Sequence, residues 1–273
     1  MYLISVGLNS CEKKNEYLKV TAAEFITPTA GAGDYYLKST NAPFLIPVGL
    51  TTVSDVDRTL NFTYTSTTAA SGVQYTAPAS VTIKAGSVID TLRFKGIFSG
   101  YPAGRKDVIT VKMDGYPAVD GLNTFKITTQ PYCDVVSSSL IGNYTNTKDY
   151  YGGAPSAAKY TASISNWTPT GTSGTAATIL IKNLGVTSDV GFGPFAATDP
   201  AATGITANLD WSNAANFTIT IPSQPYVTSL YTYGASTISG TGTFSACNQT
   251  FTINYTVRVA AGNFTGTSTV LSK

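Results

Sequence analysis

Leu60-Asn61-Phe62-Thr63-Tyr64-Thr65 and Val108-Ile109-Thr110-Val111-Lys112-Met113 are the stretches that decide the fold. Apolar and polar residues largely take turns along both, the period of a strand with one face in a core and the other in water. Similar short runs at 32–40, 44–50, 80–84, 88–94 and 124–129 surround them, broken by turn residues. About seven short strands at this spacing predict an Ig-like β-sandwich over residues 20–130. Thr128-Thr129-Gln130-Pro131-Tyr132 then marks a boundary, because Pro131 breaks the pattern.

Residues 131–273 continue in the same strand-rich text, with runs at 159–165, 177–183, 204–209, 217–221, 237–244, 251–259 and 263–265. Their connections are rich in Gly, Pro, Ser and Asn. Consecutive strands with short links predict an antiparallel meander that closes as a second β-sandwich or as a flattened barrel. Good helix formers are scarce and no window keeps a helical period, so the fold class is all-β.

Composition narrows the function classes. Charged residues make up 12% of the chain and the net charge is +2, which leaves no basic footprint for nucleic acid. No stretch reaches the roughly 18 apolar residues of a membrane-spanning helix. Glu occurs only at Glu12, Glu16 and Glu24, and His is absent.

The N-terminus carries the strongest statement about location. Leu8-Asn9-Ser10-Cys11, followed by Glu12, Lys13 and Lys14, resembles the end of a bacterial lipoprotein signal. The resemblance implies lipidation of Cys11, a membrane partner through the lipid, and an address at the bacterial outer membrane or cell surface. Residues 1–19 are then a signal remnant and tether. Met1 to Gly7 lacks the basic n-region of a full signal, and the competing reading is a short apolar strand with Cys11 an ordinary thiol. An odd cysteine count in a secreted chain leaves one over. Lipidation of Cys11 leaves Cys133 and Cys247 to pair as a disulfide, the alternative being two buried thiols.

The segment from Thr67 to Pro78, which contains Gly72-Val73-Gln74-Tyr75, and the following Ser80-Val81-Thr82-Ile83-Lys84-Ala85-Gly86 resemble the Calx-beta-like Ig domains of Bacteroidetes surface lipoproteins. The resemblance implies that Tyr75 plugs the sandwich edge and that Gly86 makes the turn into the next strand. Where that family often has an acidic residue before the Tyr, this chain has Gln74. Asp55 and Asp57 alone are too few for a calcium site of about 6–8 oxygens. Gly240-Thr241-Gly242-Thr243-Phe244, with Cys247, Phe251, Ile253, Tyr255 and Val257, is similar to C-terminal domains of the same lipoprotein group. Such proteins are often accessory to glycan capture, with the Ig-like domain as spacer and the distal domain as binder.

Catalytic signatures are missing. Nucleophilic hydrolysis usually needs a His base beside Ser or Cys, and no G-x-S-x-G elbow occurs. The S-x-x-K spacings at Ser10–Lys13 and Ser156–Lys159 lack their companion motifs. With every Glu in or near the tether, the carboxylate pair of a glycosidase could come only from Asp. Neither His nor a paired Cys spacing is present for zinc. Gly191-Phe192-Gly193-Pro194-Phe195-Ala196 formally matches a dinucleotide fingerprint, but Pro194 and the lack of a following helix make it a chance match. The expectation is a non-enzyme with no cofactor and no metal.

Binding residues are sought among aromatics in turn contexts. Trp167, Trp211 with its neighbour Asp210, and the pair Tyr150-Tyr151 before Gly152-Gly153 are the candidates for a polysaccharide or oligosaccharide, with Tyr231 and Tyr233 a further pair. Both Trp residues read first as core plugs, since Trp is highly buried on average, and second as ligand contacts. The rival to glycan binding is a structural or adhesive protein that engages envelope proteins through the edges of its Ig-like domain. Seven N-x-S/T sequons, at Asn61, Asn143, Asn166, Asn216, Asn248, Asn254 and Asn263, follow from polar–apolar–polar alternation, and Asp90-Thr91-Leu92 is similar to an O-glycosylation motif of Bacteroidetes envelope proteins.

Overall fold

A computed structural model describes residues 23–25, 31–115 and 122–273, so Cys11 and the tether 1–19 lie outside the described residues. The chain divides into two compact units. One is built from Pro43–Gly96, Asp107–Thr128 and the described residues up to Tyr35, and the other from Tyr36–Ala42, Ile97–Lys106 and Thr129–Lys273.

The first unit is a sandwich built on strands β1 (Ala23–Phe25), β2 (Ala32–Leu37), β3 (Phe44–Leu50), β4 (Arg58–Thr65), β5 (Tyr75–Thr76), β6 (Ser80–Ile83), β7 (Ile89–Gly96), β8 (Asp107–Asp114) and β9 (Thr124–Pro131). They form two sheets, ordered β1-β3-β7-β5 and β2-β9-β8-β4-β6. The alternation in the sequence becomes alternation of burial. Leu60 and Phe62 of β4, and Ile109, Val111 and Met113 of β8, are buried, while Asn61, Thr63, Val108 and Lys112 face water. Tyr75 is buried and stacks on Phe94 with ring centroids 5.0 Å apart. Gly86 turns the chain between β6 and β7 at φ +78°, a conformation that costs glycine little. Gln74 is buried, and its Oε1 accepts the Ala70 N–H at 2.9 Å. Asp57 spends its carboxylate on Lys84 at 2.7 Å and on the Ala85 N–H at 2.9 Å.

The second unit contains strands β10 (Gly142–Tyr151), β11 (Ala154–Pro155), β12 (Tyr160–Thr170), β13 (Ala176–Lys182), β14 (Ile205–Asp210), β15 (Thr218–Pro225), β16 (Thr237–Ser245), β17 (Thr250–Val259) and β18 (Gly262–Ser272), with the single-turn helices α1 (Ser137–Leu140) and α2 (Pro200–Thr203). Each strand from β12 to β18 pairs antiparallel with the next, β12 pairs with β10, and β10 pairs with β18 in the register Lys148↔Val270 to Tyr151↔Thr267. The meander is therefore a closed eight-stranded barrel, with β11 an extra strip on β10. Of the two closures the sequence leaves open, the chain takes the barrel. Closure removes the sheet edges that would otherwise be free to pair with other chains.

Side chains fill the barrel. Tyr144, Ile164, Ile179, Ile219, Phe251 and Ile253 are all at most 1% exposed within one continuous core. The lumen is packed rather than hollow, as befits a barrel of about eight strands. Gly240 and Gly242 of β16 let β17 come very close: a Cβ on Gly242 would lie 2.0 Å from the Thr252 carbonyl oxygen, and one on Gly240 2.6 Å from that of Asn254. Glycines inside a strand permit such tight bends at a barrel corner.

Candidate functional site

Register fixes what each end of the barrel carries. Gly142 opposes Ile164, and Tyr151 opposes Thr267 at the other end of β10. Trp167 lies beyond Ile164, at the Gly142 end. A bulge between Ser165 and Thr168, with Asn166 at φ +53°, keeps the Trp167 ring on the core side. Trp211 follows Leu209 and Asp210 at the end of β14, and its backbone N–H donates to the Thr175 carbonyl at 2.9 Å. The strand between the two, β13, contributes the small, buried Ala177 opposite both Pro169 and Leu209. The indoles meet over this position, with centroids 5.7 Å apart and planes inclined by 39°.

Both rings are half-buried and pack against the barrel core. They close the end of the barrel and also show part of each ring to solvent. Asp210 is exposed beside Trp211. The N–H of Ser212 donates to its Oδ1 at 2.8 Å, and that bond, with help from the Ser212 hydroxyl, lowers the carboxyl below the ordinary value. The Cys133–Cys247 disulfide joins the segment after β9 to the turn between β16 and β17, with 5.2 Å between Cα atoms.

Tyr150 and Tyr151 do not join the tryptophans. They lie at the opposite end of β10, roughly 25–30 Å away along the strand direction at ~3.3 Å per residue. Tyr151 is 50% exposed there, and Tyr231 and Tyr233 are exposed on the loop between β15 and β16.

That opposite end holds a feature the sequence did not signal. Asp149 is fully buried, and its carboxylate accepts four hydrogen bonds: from the Tyr160 hydroxyl at 2.7 Å, the Thr269 hydroxyl at 2.6 Å, and the N–H and hydroxyl of Thr187 at 3.1 and 2.8 Å. Thr187 belongs to the long connection from Asn183 to Gly204. Asp199, in the same connection, accepts from the Ala196 N–H and from the N–H and hydroxyl of Thr228. Phe192 inserts between, its ring 5.5–6.3 Å from those of Tyr226, Tyr255 and Phe264. Burial pushes the Tyr160, Tyr226 and Tyr255 phenols above their ordinary value, and the Asp149 charge adds to it. Two carboxylates and one phenylalanine thus lock long loops over the barrel mouth. Asp149 is committed to holding structure.

Among the described residues no group of three or more His, Cys, Asp or Glu could hold a metal ion. No helix among them is long and apolar enough to cross a membrane.

These features define an all-β protein that joins an Ig-like sandwich to a packed, closed antiparallel barrel. No protein-family model matches the chain, and no curated protein does. Solved structures do show likenesses. A multidomain Bacteroides ovatus protein that includes a DUF1735 domain is 13% identical over 92% of each chain, with a TM-score of 0.36. The apo form of the Calx CBD1 domain is 12% identical over 41% of this chain and 98% of its own, with a TM-score of 0.33. A Bacteroides ovatus protein described as a candidate carbohydrate-binding protein is 9% identical over 90% of this chain and 69% of its own, again with a TM-score of 0.33. At these values the likenesses bear on no functional argument.

Proposed function

We propose that this is a non-catalytic, lipid-anchored protein of a bacterial envelope whose barrel unit captures glycans at the Trp167–Trp211 end. One observation carries the reading: the chain has two Trp residues, and both partly buried indoles meet at one rim, with Asp210 exposed next to Trp211 in the chain. Sugar rings present faces of C–H groups that stack on aromatic rings, and a neighbouring carboxylate accepts hydrogen bonds from hydroxyls. The packed lumen leaves surface sites as the places for a ligand. The Cys133–Cys247 bond supports the anchor, because it leaves Cys11 as the odd cysteine of the three.

The adhesive alternative draws less support. Among the described residues three of the four outer strands of the sandwich sheets are short, with three residues in β1, two in β5 and four in β6 against six in β2, and short edges are poor templates for strand addition. The test is tryptophan emission. Because no other indole dilutes the signal, a glycan seated on the pair should quench or shift the emission of the whole protein, and Trp211→Ala should abolish the response in a chain that still melts cooperatively. An unchanged spectrum at saturating ligand would refute this site.

A further inference from the structure

The outside of a closed barrel is ordinarily convex, yet the outer face across β15–β18 carries a shallow groove of about 700 Å³, wide open to solvent. Bulges at Ile221/Gln224 in β15 and Tyr255/Val257 in β17, with the close approach at Gly240 and Gly242, bend the sheet at this place.

The groove is crossed by one row of side chains in direct register. Thr220 opposes Thr241, Thr241 opposes Asn254, Asn254 opposes Ser268, and Ser268 opposes Tyr150. Directly opposed residues share a face, and the inward partners alternate with them: Asp149, Ile219, Ile253 and Thr269 are buried. Five strands at ~4.8 Å spacing make the row roughly 19 Å long.

Two properties of the row point to a ligand class. None of the residues lining the groove is charged. Among the described residues, the side chains of Thr220, Thr241, Asn254 and Ser268 also have no hydrogen-bond partner. The next outward pair in the register, Thr178 and Asn208, does satisfy itself, at 3.1 Å. The groove therefore presents unused hydroxyl and amide groups at a regular spacing, and the Tyr150 ring follows next in the row, just beyond the groove's lining.

We infer that this groove is a second glycan subsite, taking a neutral, hydroxyl-rich saccharide chain laid across the strands with one sugar against Tyr150. A charged polymer would lose the hydration of its charges here and meet no counter-charge. The inference deepens the glycan reading by naming the class of glycan, and its site is separate from the tryptophan rim.

The test is affinity gel electrophoresis of the full chain in neutral polysaccharides (laminarin, soluble starch, galactomannan, xylan) and acidic ones (polygalacturonate, heparin), with tryptophan emission followed in parallel. At least one neutral polymer should retard the protein, and Thr241→Arg and Asn254→Arg should each weaken that retardation at least tenfold. Asn254→Asp, nearly isosteric, is a second variant that brings charge into the groove without bulk. Each variant is checked by its melting curve. Retardation by a neutral polymer that ignores all three substitutions overturns the groove while leaving the tryptophan rim standing. Sensitivity to the substitutions without any change in emission upholds the groove and removes the rim. Retardation by acidic polymers alone overturns the groove, and no retardation by any polymer overturns both sites.

Discussion

Replacing Asp149 by Ala should be among the most damaging single changes in the barrel unit. The substitution removes one acceptor group, itself fully buried, from four donors at 2.6–3.1 Å. A buried donor left without a partner costs about 1–3 kcal/mol. The Thr269 hydroxyl can turn toward Tyr255, whose hydroxyl lies 3.3 Å away, but the Thr187 N–H and the Tyr160 hydroxyl have no such substitute. Relief from burying a carboxyl returns part of the loss. The net expectation is about 3–5 kcal/mol, a large share of the roughly 5–15 kcal/mol that holds a domain folded. Urea unfolding followed by circular dichroism gives the total. Hydrogen exchange gives the place: the amides of Thr187 and Gly185 should lose protection first, since both are tied to the Asp149–Tyr160 cluster. A loss below about 1 kcal/mol, or unchanged protection at Thr187, would show that the cluster does not anchor the loop.

Other outcomes follow from the same structure. Reducing the Cys133–Cys247 bond opens a loop spanning 114 residues and should destabilise the barrel unit by roughly 5 kcal/mol on the chain-entropy account; titratable thiols at these positions in the native protein would contradict the bond. Gly242→Ala, whose Cβ would lie 2.0 Å from the Thr252 oxygen, should cost about 2 kcal/mol or more by overpacking, and a change within about 0.5 kcal/mol would dismiss the strained corner. Burial raises the Asp199 carboxyl, but the Thr228 hydroxyl and the N–H groups of Thr228 and Ala196 outweigh it and hold the group below its usual value. A carboxyl lowered by folding stabilises above its unfolded pKa, near 4, and that contribution is lost as pH falls through the lower folded value. Denaturation should accordingly grow easier below about pH 4, and a wild-type acid limb reproduced unchanged by Asp199→Asn would count against this.

What was legible in the sequence depended on what each strand buries. β3 was readable to the residue, and β4, β8, β13, β16 and β17 to within a residue or two, because their buried faces are largely aliphatic or aromatic. β10 and β18 were not. The inward face of β10 carries Thr147 and Asp149 beyond Tyr144, and that of β18 carries Thr267 and Thr269 before Leu271, all buried. These side chains satisfy one another and the backbone: Thr269 donates to Asp149, Thr267 to the Tyr255 carbonyl, and Thr147 to the Tyr144 carbonyl. A strand whose core face is polar shows no hydrophobic alternation. The pairing of β10 with β18 is also the one that closes the barrel, which is why sequence alone left sandwich and barrel open.

The binding residues divide the same way. Trp167, Trp211 and Asp210 could be selected individually as aromatics and a carboxylate in turns, but their meeting depends on two strand registers across β13 and on the bulge at Asn166. The outer groove depends on registers across four strands, and the residues of its row are individually ordinary Thr, Ser and Asn. Tyr150 was selected with the tryptophans as an aromatic in a turn context, and the strand direction of β10 separates them.

The most direct test of the account is a glycan and polysaccharide binding screen on the soluble chain from residue 20 onward, with tryptophan emission recorded for every hit. The account predicts specific binding of a neutral glycan, an emission change on binding, and loss of that change in Trp211→Ala. A folded protein that binds none of the glycans presented would contradict it.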